Sequence, residues 1–123
     1  MIFHITTPKS YEQDFDGENL THPSLESEGF IHCATLSQVA GVLERYFVGI
    51  NEITLLHLDE SLLKSELKYE IATADEAFPH VFGKINKEAI VKVEIVKLGN
   101  LVELGTANRE FAASSQLPNS TML

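Results

Sequence analysis

The chain predicts an α+β domain built on a mixed or antiparallel sheet, with one main helix and several short ones. Three observations lead there. Short apolar, β-rich runs recur along most of the chain. One segment carries a full amphipathic helical period. The order runs strand, helix, strand, helix and then several strands, with no internal repeat. A length of 123 residues with 44% hydrophobic side chains fits one compact domain with an ordinary core.

Ile2 to Thr6 is apolar and reads as a first strand. Thr7-Pro8 stops it, and Pro8 suits the first turn of a short helix through Tyr11. Asp14 to Asn19 is a polar connection with Gly17. Leu20 to Gly29 is an extended, irregular lead into Phe30-Ile31-His32-Cys33. Thr35 is a plausible N-cap. After it Val39, Val42, Leu43, Tyr46 and Phe47 recur at helical spacing, and Gly49 stands where a C′ residue would. Ile53 to Leu58 is short and apolar enough to be a buried strand. Asp59 can cap a helical turn through Leu63. Leu67 to Ala72 alternates, with Leu67, Tyr69 and Ile71 on one face and Lys68, Glu70 and Ala72 on the other. Phe78 to Ile85 reads as a turn and a short strand, and Asn86 to Ala89 as a helical turn. Ile90 to Leu98 is a long strand with one largely apolar face. The pattern weakens after Gly99. The expected domain is residues 1–99, and residues 100–123, rich in Ser with Pro118 and Asn119, read as a mobile tail.

Bulk composition bounds the function. The net charge of −9 comes from 18 acids against 9 bases and should repel free nucleic acid, so no nucleic-acid partner is expected. One cysteine cannot form an internal disulfide, which fits a reducing compartment. The first residues lack the basic and apolar regions of a signal peptide. No segment reaches the ~18 apolar residues of a membrane span. The expectation is a cytoplasmic protein with a small-molecule ligand.

Chemistry concentrates in three histidine-bearing segments: Ile2-Phe3-His4-Ile5-Thr6, Glu28-Gly29-Phe30-Ile31-His32-Cys33-Ala34-Thr35 and Phe78-Pro79-His80-Val81-Phe82-Gly83. Aromatic-flanked histidines in short strands or turns suggest one polar site in an apolar frame. His4 would donate to a ligand oxygen, with Thr6 supplying a hydroxyl from the same strand face. As a packing residue, His4 would instead bond the backbone. His32 precedes a helix whose N-terminus can seat an anion. Thr35 would cap that helix or bond a ligand. Cys33 would be a nucleophile only with His4 or His80 as its base, because adjacent strand residues point to opposite faces. The plainer reading is a small buried hydrophobe. His80 sits in an aromatic turn, and Glu70 is either a site acid or a solvated partner of Lys68. Phe30, Phe78 and Phe82 either stack on a flat ring or pack the core. Glu26, Glu28, Asp75 and Glu76 read as solvated loop charges, with Glu28 close enough to the motif to matter. His22 and His57 are weaker candidates. Zinc held by His4, His32 and His80 is a further option without the short paired spacing of a metal motif.

These motifs, with Leu55-Leu56-His57-Leu58-Asp59 and Tyr69-Glu70, resemble the bacterial and plant family called domain of unknown function 952, over residues 2–98. The resemblance implies a fold like that of the ADP-ribosyltransferases. It also implies a layout similar to the NAD-dependent RNA 2′-phosphotransferases, with His4-Ile5-Thr6 and Ile31-His32-Cys33-Ala34 as counterparts of their two histidine motifs. Ile5 stands where those have glycine, and Arg45 and Arg109 are the chain's only arginines, which speaks against RNA 2′-phosphate chemistry. The expected function is binding of a nucleotide-like small molecule, NAD being the cofactor the resemblance points to. If the protein is catalytic, the reaction would be glycosidic cleavage or transfer at the ribose. The expected catalytic groups are His32, His80 and Glu70. The expected ligand contacts are His4, Thr6, His32, Cys33, Thr35 and Phe82. A non-enzymatic metabolite-binding module and a histidine-bound metal hydrolase are the alternatives.

Overall fold

The computed structural model describes residues 1–98. The expectations for the boundary at 99 and for the tail 100–123 lie outside the described residues. Strand β1 (Ile2–Thr6) leads into helix α1 (Pro8–Asp14), strand β2 (Asn19–Leu20) and the short helix α2 (Ser24–Ser27). Strand β3 (Ile31–His32) precedes the main helix α3 (Leu36–Tyr46). Then come β4 (Glu52–Leu58), β5 (Glu66–Ile71), β6 (Ala77–Phe82), β7 (Ile85–Asn86) and β8 (Ile90–Lys97). Single 3-10 turns occupy Glu60–Leu62, Thr73–Asp75 and Lys87–Ala89.

The α+β expectation holds, and every strand pairing among the described residues is antiparallel. One sheet has the order β1-β4-β8, another the order β3-β6-β5, and β2 pairs with β7. Reciprocal hydrogen bonds between Phe3 and Ala34, at 2.8 and 2.7 Å, tie the first sheet to the segment after β3.

β4 is central and buried on both faces. Ile53 and Leu55 pack with Phe3, Phe78 and the α3 residues Val39 and Leu43. Leu56 and Leu58 pack on the other side with Ile2, Ile31, Val81 and Ile85. A strand covered twice has no polar face, which is why its sequence does not alternate. Each fully buried leucine contributes about 1.5–3 kcal/mol.

Thr35 and Gln38 close the start of α3 as a capping box, with the Thr35 N–H donating to Gln38 Oε1 at 3.0 Å. Gln38 Nε2 also donates to the Ala77 carbonyl at 2.9 Å, which fixes the helix against β6. The helix ends at Tyr46 with Phe47 as C-cap, so Gly49 (φ 84°) lies one residue beyond the C′ position expected for it. Helix α1 runs on to Asp14 rather than stopping at Tyr11, continued by the bond from Phe15 N–H to the Tyr11 carbonyl at 3.0 Å.

The largest correction concerns Phe78-Pro79-His80, expected in a turn. These residues lie in β6, the middle strand of its sheet. A proline is tolerated there for a local reason. The N and C=O of one strand residue point to the same neighbour. Those of Pro79 face the β3 side, where the ladder ends at His32 and only Cys33 N–H arrives, donating to the Pro79 carbonyl at 3.0 Å. The missing N–H therefore breaks no rung.

Candidate functional site

Between the first sheet, α3 and the β3-β6-β5 sheet lies a cavity of about 390 Å³. His4, His22, His32 and His80 all line it, together with Cys33 and Glu28. Its apolar wall includes Phe3, Ile5, Val42, Phe47 and Phe78. Tyr46 and Thr73 also line it and bond to each other at 2.7 Å, joining the end of α3 to the Thr73–Asp75 turn. Glu28 is the one carboxylate among the described lining residues, and none of them is Lys or Arg.

Local pairing assembles the histidines. His32 and His80 are direct partners across β3 and β6, and Lys68 stands opposite His80 on β5. Phe30 stacks on the His80 ring with centroids 4.0 Å apart, and His32 meets His80 edge-on at 5.4 Å. Glu70, diagonal to His80 on β5, places Oε1 2.8 Å from its Nδ1. A carboxylate only accepts, so Nδ1 carries the proton and donates, and the neutral ring keeps an unprotonated Nε2. His80 is 4% exposed, and its buried Nε2 has no hydrogen-bond partner among the described residues. Glu70 does not itself line the cavity. It bonds His80 rather than Lys68, because antiparallel register brings residues ten apart into contact, while its side chain stays 43% exposed.

His4 repeats the arrangement. Its Nδ1–H donates to the His32 carbonyl at 2.8 Å, not to a ligand oxygen, and its buried Nε2 has no partner among the described residues. Burial lowers its pKa from 6.5 to about 4, opposed by the bond to the His32 carbonyl and aided by nearby His22 and His32. His4 is thus a neutral acceptor at pH 7. His22 has the opposite polarity. Its Nδ1 accepts from the Ser24 N–H at 3.1 Å and from the Ser24 hydroxyl at 2.9 Å, which puts the ring proton on Nε2. It meets the His4 ring edge-on at 5.5 Å. His32 turns its Nε2 to both oxygens of Glu28 at 3.1 Å.

Of the expected site residues, His4, His32, Cys33 and His80 come together in the cavity. Cys33 is buried, and burial pushes its thiol pKa up, so it is held as a thiol and not as a thiolate nucleophile. Thr6 is buried on β1 but does not line the cavity. Thr35 is committed to the α3 cap, so the donors of Thr35 and Gln38 that an anion would use are already taken. Phe82 packs beside Phe30 with its ring under the Lys68 ammonium, outside the cavity lining. His57 is held by Glu94 at 2.9 Å and meets the Phe3 ring edge-on at 4.9 Å, a structural pair that does not itself line the cavity. Two contributors had only weak signals. His22 precedes Pro23 and the start of α2, and Glu28 lies four residues before His32. Tyr46 and Thr73 carried none. Among the described residues, no three His, Cys, Asp or Glu side chains cluster as a metal ion would require. No helix among them is long and apolar enough to cross a membrane.

The family model described as "Protein of unknown function (DUF952)" matches residues 5–93. No curated protein matches the chain. Protein CC0527 from Caulobacter crescentus has a similar crystal structure, with TM-score 0.69, 20% identity, and coverage of 84% of this chain and 98% of that one. A double mutant of the same protein gives TM-score 0.68 and 19% identity, with the same coverage. At that identity the likeness concerns the fold alone.

Proposed function

Because this chain belongs to the family of proteins of unknown function DUF952, whose name assigns no activity, we propose its role from the histidine-lined cavity. It binds a nucleotide-like small molecule there, NAD being the first to test, within a fold of the ADP-ribosyltransferase type. The observation that carries the reading is His80, clamped between Phe30 and Glu70 with an unpartnered Nε2 on a pocket-lining ring. An oriented imidazole with its far nitrogen free is a general base in waiting. A cavity of about 390 Å³ suits a nucleoside-sized body, and its phenylalanines suit a flat ring. With no Lys or Arg among the described lining residues, the phosphates of a dinucleotide stay outside and the ribose with its base enters.

The reaction that fits is cleavage or transfer at the ribose. A water or hydroxyl gives its proton to His80 Nε2 and bonds the anomeric carbon. The glycosidic bond breaks, and the leaving base departs with its electron pair. Glu70 stabilises the imidazolium that forms, and Glu28, the one carboxylate among the described lining residues, faces the developing positive charge. The test is a thermal-shift titration with NAD and ADP-ribose on wild type, His32→Ala and His80→Ala, with nicotinamide release followed by chromatography. A ligand at a hundred times its Kd adds about 2.7 kcal/mol to stability. A saturable shift with release lost in His80→Ala is expected. A saturable shift without release means a binding module. No shift in a folded protein refutes the nucleotide reading.

A further inference from the structure

We propose that the inner pocket selects a neutral group bearing hydrogen-bond donors beside an acceptor, as a primary carboxamide does, and rejects an anion. This deepens the reading of the cavity as a small-molecule site and does not require that the ligand be NAD. Two buried pocket-lining rings, His4 and His80, are 2% and 4% exposed, and each has its Nδ1 proton committed to an acceptor of the protein frame. Each therefore presents Nε2 as an acceptor, and neither Nε2 has a partner among the described residues. An acceptor buried without a donor is costly, and a ligand N–H or O–H removes that cost. His22 supplies the complement, since Ser24 holds its Nδ1 as an acceptor and leaves an N–H on Nε2. Around these groups stand Glu28, paired with His32, and Glu70 behind His80, with no Lys or Arg among the described residues that line the cavity. A carboxylate or phosphate entering here would set lone pairs against lone pairs beside two acids, with no cation to compensate. A carboxamide meets the same surface with N–H groups for the acceptors and a carbonyl for the His22 N–H.

Three probes on one phenyl ring separate donation from charge. Benzamide is neutral with two N–H groups, N,N-dimethylbenzamide is neutral with none, and benzoate is anionic with none. Each is titrated into the full chain while the histidine ring nitrogens are followed in two-bond ¹H–¹⁵N spectra. Benzamide should bind at least about tenfold more tightly than either analogue, as expected when a buried acceptor gains or lacks its donor. It should also move the unprotonated Nε2 signals of His4 and His80. In His4→Asn, which keeps a donor for the His32 carbonyl but lacks Nε2, the preference should shrink. Where that variant does not fold, the wild-type nitrogen shifts decide. Equal or tighter binding of benzoate or the dimethyl analogue overturns the proposal. So does benzamide binding that leaves both nitrogens unmoved, or no binding by any of the three. If the benzamides fail while NAD gives a saturable thermal shift, the donor rule falls and the nucleotide reading stands. If benzamide obeys the rule while NAD gives no shift, the reverse holds.

Discussion

His4 makes the protein sensitive to acid in a way that one substitution should isolate. Its pKa is 6.5 in an open chain and about 4 when folded, chiefly because burial disfavours the imidazolium. The unfolded chain therefore takes up a proton between these values while the folded chain does not. Stability is full above pH 6.5 and falls as pH drops toward 4. For one site with these two pKa values the loss is about 2 kcal/mol at pH 5 and about 3 kcal/mol at pH 4. The exposed carboxylates of Asp16, Asp59 and Glu88 have pKa values held below the usual range by local hydrogen bonds. They too lose stability on acidification, but only near and below pH 4, so the interval from 7.5 to 5 isolates His4. His4→Asn keeps a donor for the His32 carbonyl and removes the titration. Urea unfolding of both proteins at pH 7.5, 6.5, 5.5 and 5.0, followed by circular dichroism, measures the difference. The wild-type midpoint should drop by about 1 M more than the variant's over this range. Parallel curves would mean that His4 protonates in the folded chain as readily as in the unfolded one, and the argument from its burial would be wrong.

Three further outcomes follow from the same geometry. Glu70→Gln should mix the two tautomers of His80, because an amide can donate as well as accept, and ¹⁵N ring spectra would show it; stability should change by under about 1 kcal/mol, since the Glu70 side chain is 43% exposed. An unchanged single tautomer would mean that another group sets the proton. Cys33 should resist a thiol reagent such as Ellman's in the native state and react once urea opens the core, and rapid native reaction would contradict its burial. Thr35→Ala should cost about 1 kcal/mol in urea unfolding through loss of half the α3 capping box, and a neutral result would show that the Gln38 contacts to Thr35 and Ala77 suffice.

Local pattern carried much of the fold. Helix α3 was legible because Val39 and Leu43 lie one turn apart behind a capping residue, and β4 because a strand buried on both faces is an unbroken apolar run. The same reading singled out His4, His32 and His80, since a histidine set among aromatic and aliphatic neighbours in a strand must find partners. It misplaced Phe78-Pro79-His80 in a turn. Proline argues against a central strand unless the neighbouring ladder stops beside it, and where β3 stops is a fact about a segment more than forty residues earlier.

By itself the sequence determined the α+β class, the main helix, most strands and the three histidine segments, because side-chain periodicity, capping and apolar runs act over a few residues. Tertiary structure alone decided that Glu70 stands behind His80, that the His32 carbonyl holds His4, and that His22 and Glu28 join the same cavity. Those contacts depend on the register between strands and on how the sheets close against each other. Register is a joint property of two distant segments, and shifting either by one residue would turn these rings to the opposite face.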